Sequence, residues 1–171
     1  VTYELHPEIA EEGITLEPHP GIDEMFDTLR ARGIEYGIYF RQVRILANSR
    51  KSLLVGEYAK ELGKSEDYIN AIYKTYFEEG LNIGDKQVII KVAEKIGINE
   101  NEVNAAITSL KYKEHLNQNM LEGRSHNVKS LPTFIINDRH RIFGAQSEQV
   151  FIKAFKMLAV DGTGDQIGGA S

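Results

Sequence analysis

The chain has 171 residues, 42% hydrophobic and 26% charged, with a formal net charge of −5, enough for one domain with a sizeable core and ordinary for a globular protein. The acidic balance, with a pI of about 5.6, argues against a nucleic-acid footprint, and no apolar run approaches the length of a bilayer span. Cysteine is absent from the sequence, which excludes a disulfide framework, a cysteine nucleophile and a thiolate metal site within it, and is compatible with a cytoplasmic setting.

Residues 1–5 alternate apolar with polar side chains and read as a short strand. The chain thus begins at Val1 directly in strand-like sequence, which leads us to expect a preceding segment. Residues 6–20 hold three prolines, Gly13 and several acids, and read as a loop. A helix is predicted from Gly21, with Ile22, Met25, Phe26 and Leu29 on one face and Gly33 as its stop. Residues 34–47 combine Tyr36, Ile38, Tyr39, Phe40, Val43 and Ile45 in a broken alternation that suits buried extended chain. The basic residues Arg41, Arg44, Arg50 and Lys51, and the group at 139–141, read as solvated local clusters.

From Asn48 the pattern turns helical. Asn48 or Ser49 caps a helix to Leu62, with Leu53, Leu54, Tyr58 and Leu62 inward and Gly63 as its stop. Ser65 opens a second helix, bearing Tyr68, Ile69, Ile72, Tyr73, Tyr76 and Phe77, ended by Gly80. Asp85 caps a third, with Val88, Ile89, Val92, Ala93 and Ile96 before Gly97. Asn99 with Glu102 forms a capping box for a fourth, which carries Val103, Ala106, Ile107 and Leu110. A more polar helix covers residues 112–126.

Residues 128–137 read Val-Lys-Ser-Leu-Pro-Thr-Phe-Ile-Ile-Asn. Thr133 to Ile136 suits a strand that begins beside Pro132 and ends at the turn pair Asn137-Asp138, with 141–143 as its hairpin partner. From the residues alone two readings stay open. The proline merely starts a strand, or the Leu131–Pro132 bond is cis and turns the N–H and C=O of Leu131 outward, where an extended peptide can pair with them. Ser147 caps a last helix with Val150, Phe151, Ala154, Phe155 and Leu158 inward, and the glycine-rich residues 161–171 read as a loose tail. His6, His19, His115, His126 and His140 lack ligand spacing, no Gly-x-Ser-x-Gly elbow occurs, and Gly162-Thr163-Gly164 follows a helix, so no metal, hydrolase or dinucleotide site is predicted.

The order is strand, helix, several helices, hairpin, terminal helix: α/β in content with a helical subdomain inserted before the hairpin. Asn48-Ser49 opening the inserted region, Tyr76-Phe77-Glu78-Glu79-Gly80, Ile83-Gly84-Asp85, Pro132-Thr133-Phe134 and Gly144-Ala145-Gln146 occur in this order. Together they resemble the DsbA-like thioredoxin-fold proteins, in the branch with cytosolic FrnE-type dithiol–disulfide isomerases and 2-hydroxychromene-2-carboxylate isomerases. The resemblance runs over about residues 1–158. It implies a thioredoxin-like part at 1–47, the inserted helical subdomain at 48–111, a thioredoxin-like part with a cis-proline loop and C-terminal helix at 112–160, and the tail at 161–171.

The resemblance also implies that a strand and a helix bearing Cys-x-x-Cys, or a serine in the isomerase branch, precede the strand at Val1; that N-terminal strand-helix unit is absent from this sequence. The expected function is therefore that of a truncated or fragmentary member of a thiol–disulfide oxidoreductase family, with the thiol chemistry missing from this chain. The alternatives are a redox-inactive module that binds a peptide or glutathione, and a serine-type isomerase relative. Residues upstream of Val1 separate them. What the resemblance carries over is binding: Leu131 through its backbone, Pro132, Asn48 and His126, toward a thiol-containing peptide or glutathione-like ligand, with no cofactor and no metal. The residues themselves favour a helix cap for Asn48, and for His126 an exposed helix end where positive charge is favoured. With the intervening strand missing, residues 1–5 and 133–136 are expected not to pair. A second polypeptide, a homodimer or a displaced first strand would then complete the sheet.

Overall fold

The computed structural model describes residues 2–138 and 140–161, the last two as backbone only. Val1, Arg139 and the tail expected beyond 161 lie outside the described residues. The chain divides into two compact units, Val1–Arg124 and Ser125–Ser171.

In the first unit, β1 (Ile14–Thr15) pairs antiparallel with β2 (Ile45–Leu46), and α1 (Pro20–Gly33) lies between them in sequence. The Ile14–Thr15 strand lies inside a predicted loop; two residues are too short to show an alternation. Four helices follow: α2 (Arg50–Glu61), α3 (Ser65–Tyr73), α4 (Lys86–Lys95) and α5 (Glu100–Thr108), and then α6 (Leu110–Ser125). The apolar faces of α2–α6 close on one core, in which Val55, Ile89, Ile98, Val103 and Leu116 are fully buried. The caps act as the sequence requires. Asp85 accepts from the Gln87 N–H, and Asn99 and Glu102 form the reciprocal capping box.

Several expectations are corrected here. Residues 2–5 form no strand. A strand exists only where a neighbouring main chain supplies its ladder, and this segment lies against α6 instead, with the Glu4 N–H on Met120 Sδ at 3.1 Å. Glu4 is 1% exposed, and one of its carboxylate oxygens accepts from Arg50 Nη1 at 2.7 Å. Residues 34–36 form a 3-10 turn, and Tyr36, Ile38 and Tyr39 stand in solvent where burial was predicted. Leu62, Ile69, Tyr73 and Leu110 are likewise exposed, because the core takes the neighbouring positions Ala59, Tyr68, Ile72 and Ala106. The second predicted helix continues past Tyr73 as a π turn, Lys74–Glu78, before Gly80.

In the second unit, β3 (Thr133–Ile136) and β4 (His140–Phe143) make an antiparallel hairpin with Phe134 opposite Ile142. Asn137 and Asp138 hold positive φ angles of 51° and 55°, which their short side chains tolerate. The last helix, α7 (Glu148–Asp161), sets the Phe151 ring edge-on to Phe134, 4.9 Å between centroids. Val150 and Phe155, predicted inward, are exposed.

Candidate functional site

The segment between α6 and β3 carries three of the four candidate binding residues. Asn127, with φ at 55°, ends the helical turn after α6. His126 beside it is half-buried, not fully exposed. The Leu131–Pro132 peptide bond is cis. On its downstream side the chain is tied down, for the Gly144 N–H donates to the Pro132 carbonyl at 2.8 Å. Upstream, the Thr133 hydroxyl donates to the Ser130 carbonyl at 2.6 Å. Leu131 sits between these two anchors, 48% exposed, and its N–H and C=O bond to none of the described residues. Its main chain is therefore fixed in place and open, as a peptide-pairing edge requires.

Asn48 belongs to the first unit and is buried. Its Nδ2 donates to the Ile9 carbonyl at 2.5 Å and its Oδ1 accepts from the Arg50 N–H at 2.9 Å. The N-cap position of α2 is held by Ser49. Asn48 thus stitches the loop at Ile9 to the start of α2, and its amide is largely committed to that join.

Sequence reasoning missed a polar ladder along α2. The Tyr58 hydroxyl donates to Glu102 at 2.7 Å and the Tyr112 hydroxyl donates to Glu61 at 2.8 Å. Lys111 pairs with Glu61, and Glu57 faces His115 at 3.9 Å and Asn119 at 3.4 Å. Tyr58, Glu102, Ala105, Ala106, Ser109 and Tyr112 line a cavity of about 250 Å³. The hydrogen bond from Tyr58 holds the Glu102 carboxyl below its usual value, and the same bond raises the Tyr58 phenol. Burial, helped by Glu61, pushes Tyr112 up to about 12. A four-residue spacing from Tyr58 to Leu62 and the capping box at Asn99 disclosed the helices but not which polar faces meet. Of the other tyrosines in the helical region, Tyr68 bonds the Ser52 carbonyl from within the core and Tyr76 bonds that of Ile45. No group of three or more His, Asp or Glu side chains suited to a metal occurs among the described residues, and no helix among them is long and apolar enough to cross a membrane.

Comparison with known proteins places the chain in a family. The family described as DSBA-like thioredoxin domain matches residues 4–156. The uncharacterized protein YwbO of Bacillus subtilis is 32% identical over 98 residues, 57% of this chain and 48% of that protein. The thiol:disulfide interchange protein DsbA of Buchnera aphidicola is 28% identical over 99 residues, 57% of this chain and 46% of its own length. The chain spans about half the length of these curated relatives. Among solved structures, a probable DsbA oxidoreductase from Streptomyces coelicolor superposes with a TM-score of 0.78 at 19% identity, over 99% of this chain and 76% of the other. A 2-hydroxychromene-2-carboxylate isomerase gives 0.66 at 17% identity, over 90% and 76%. At such identities the likeness is one of fold: a thioredoxin-like α/β fold, rich in helix, with a helical insertion and small sheets.

Proposed function

The chain belongs to the DSBA-like thioredoxin domain family, and on that premise we propose that these 171 residues supply substrate recognition in thiol–disulfide exchange and none of its thiols. The observation that carries the proposal is the fixed, open main chain of Leu131 ahead of Pro132. An extended peptide pairs with such a backbone through its own N–H and C=O, so recognition tolerates varied side chains. Exchange itself requires a thiolate to attack and a second thiol to resolve the mixed disulfide. The sequence holds no cysteine. A thiol-containing peptide or a glutathione-like ligand is the substrate class, and a chain without cysteine needs no oxidising compartment, so a cytoplasmic setting belongs to the same proposal.

Two measurements on the 171-residue chain test this. Calorimetric titration with a reduced cysteine-containing peptide gives saturable binding, and Leu131→Pro, which deletes the N–H, weakens it. An insulin-reduction assay with the same preparation gives no turnover above buffer. Turnover would overturn the division of labour, and absence of peptide binding would remove the recognition role. A second reading, a redox-inactive binding module, is favoured by the absence of cysteine. Residues upstream of Val1 separate the two: Cys-x-x-Cys supports the exchange role, and a segment with neither cysteine nor serine supports the binding module.

A further inference from the structure

Residues 34–44 of the first unit combine three features that the recognition loop does not use. The first is exposed apolar surface on a short stretch: Ile34 is 64% exposed, Tyr36 77% and Tyr39 69%, with Ile38 also in solvent. Scattered single exposures are normal, but four in six residues form a patch. The second feature is rigidity beneath the patch. The Ile38 N–H donates to the Gly33 carbonyl at 2.9 Å, the Arg41 N–H to the Phe77 carbonyl at 2.7 Å, and the Leu16 N–H to the Arg44 carbonyl at 2.8 Å. Phe40 packs edge-on against Phe77 at 5.7 Å, and Val43 is buried. Anchored inward at Phe40 and Val43, the backbone holds the outward residues Tyr39, Arg41 and Arg44 in solvent.

The third feature is charge. Arg32, Arg41 and Arg44 are exposed, and none of the three is paired with a carboxylate among the described residues. Arg30 nearby is paired with Asp27, while Asp23 keeps its charge and accepts from the Gln42 amide. Glu35 is the acid within residues 34–44. In a chain of net charge −5, residues 34–44 therefore present two guanidiniums without a carboxylate partner among the described residues, interleaved with tyrosines. Arginine and tyrosine are the side chains most often found carrying interface energy, through bidentate carboxylate pairing and low-entropy ring contact.

We propose that residues Ile34 to Arg44 form a docking strip for an extended acidic polypeptide segment, its carboxylates on Arg41 and Arg44 and its apolar side chains against Tyr36 and Tyr39. The guanidiniums select the anionic occupant, while the overall negative charge of the chain repels it elsewhere and so confines it to the strip. The rings supply the apolar contact that a purely ionic site lacks. The strip belongs to the first unit and the Leu131 loop to the second.

Fluorescence anisotropy of the whole 171-residue chain with a short fluorescein-labelled peptide of alternating Glu and Leu tests this. Saturation in the micromolar range is expected. Arg41→Glu with Arg44→Glu weakens binding at least about tenfold, as does Tyr36→Ala with Tyr39→Ala. Lys60→Glu with Lys91→Glu, the same charge change elsewhere on the surface, leaves it within about twofold. Circular dichroism melts establish that each variant is folded. If the arginine variant is not, the tyrosine variant decides, since its side chains are already in solvent. The proposal is overturned by no binding, by equal loss in the lysine control, by equal binding of a Lys–Leu peptide, or by an oligothymidylate binding as tightly as the acidic peptide.

Discussion

Glu102 accepts hydrogen bonds from two elements, the Tyr58 hydroxyl at 2.7 Å and the Asn99 main chain at 2.8 Å. Both favour the ionised form, so its folded pKa lies below the ordinary 4.5. A depressed carboxylate contributes stability that is present above 4.5 and lost as pH falls through the folded value. Glu61, lowered by Lys111 and then Tyr112, acts in the same direction. Acid unfolding followed by circular dichroism is therefore expected to weaken in Glu102→Gln and Glu61→Gln, each variant losing less stability than the parent between pH 5 and about 3. At the alkaline end Tyr112, raised to about 12, favours the protonated phenol; that contribution is complete below 10 and lost as pH rises through about 12. Asn48 gives the clearest separation of architecture from binding. Asn48→Ala leaves the buried Ile9 carbonyl and the Arg50 N–H without their partner, at a cost of about 1–3 kcal/mol. We expect a lowered melting temperature together with unchanged peptide affinity in the folded protein; loss of affinity without loss of stability would return Asn48 to the binding site.

Elements with local chemistry at both ends were legible. Asp85 and Asn99 start α4 and α5 where their side chains cap free N–H groups, and Gly63, Gly80 and Gly97 follow helical turns at φ of 70°, 71° and 73°. The Thr133–Ile136 hairpin was equally readable from its β-branched run and Asn-Asp turn. Residues 34–47 were not, because what fixes them is distant. Ile38 is held by Gly33 and Arg41 by Phe77, and no pattern within the segment encodes those partners. The first five residues misled for a related reason, since their alternation is real but α6, not a strand, lies beside them. The candidate site divided in its own way: Leu131 and Pro132 came from the resemblance to a family, whereas the meeting of Tyr58 with Glu102 depends on how α2 and α5 pack. Two substitutions probe these levels. Asn99→Ala removes the capping box of α5 and costs about 1 kcal/mol in a denaturant melt. Gly84→Ala sets a Cβ 2.7 Å from the Asn48 carbonyl and 3.3 Å from that of Glu11; because both are backbone atoms, the destabilisation is expected at about 1–3 kcal/mol. A Gly84→Ala protein as stable as the parent would show that the loop yields freely.

At the scale of the molecule the two units differ in how each is held together. The first unit contains the whole buried cluster, from Leu54 on α2 through Ile89 and Val92 on α4 to Leu116 on α6, so opening any of these helices exposes a shared core. In the second, Ile142 is the buried hydrophobic residue among those described, Phe134 on Phe151 is a single ring contact, and Val150, Phe155 and Met157 of α7 are exposed. A two-stranded hairpin with so little apolar cover is marginal by itself. Protection against local opening follows buried contacts, so free energies of amide exchange should fall into two groups. The amides of Ile89, Ile90 and Val92 are expected to exchange only on global unfolding, with a denaturant dependence matching the equilibrium melt. Those of β3 and β4 are expected to exchange through a smaller opening, orders of magnitude faster and nearly independent of dilute denaturant. Such a hairpin can open while the helical core stays closed, and a peptide paired to Leu131 would hold it shut. Hydrogen–deuterium exchange by NMR separates the cases: equal protection in α4 and in β3–β4 would mean one cooperative body, and peptide-dependent slowing confined to the hairpin would tie the mobile unit to recognition.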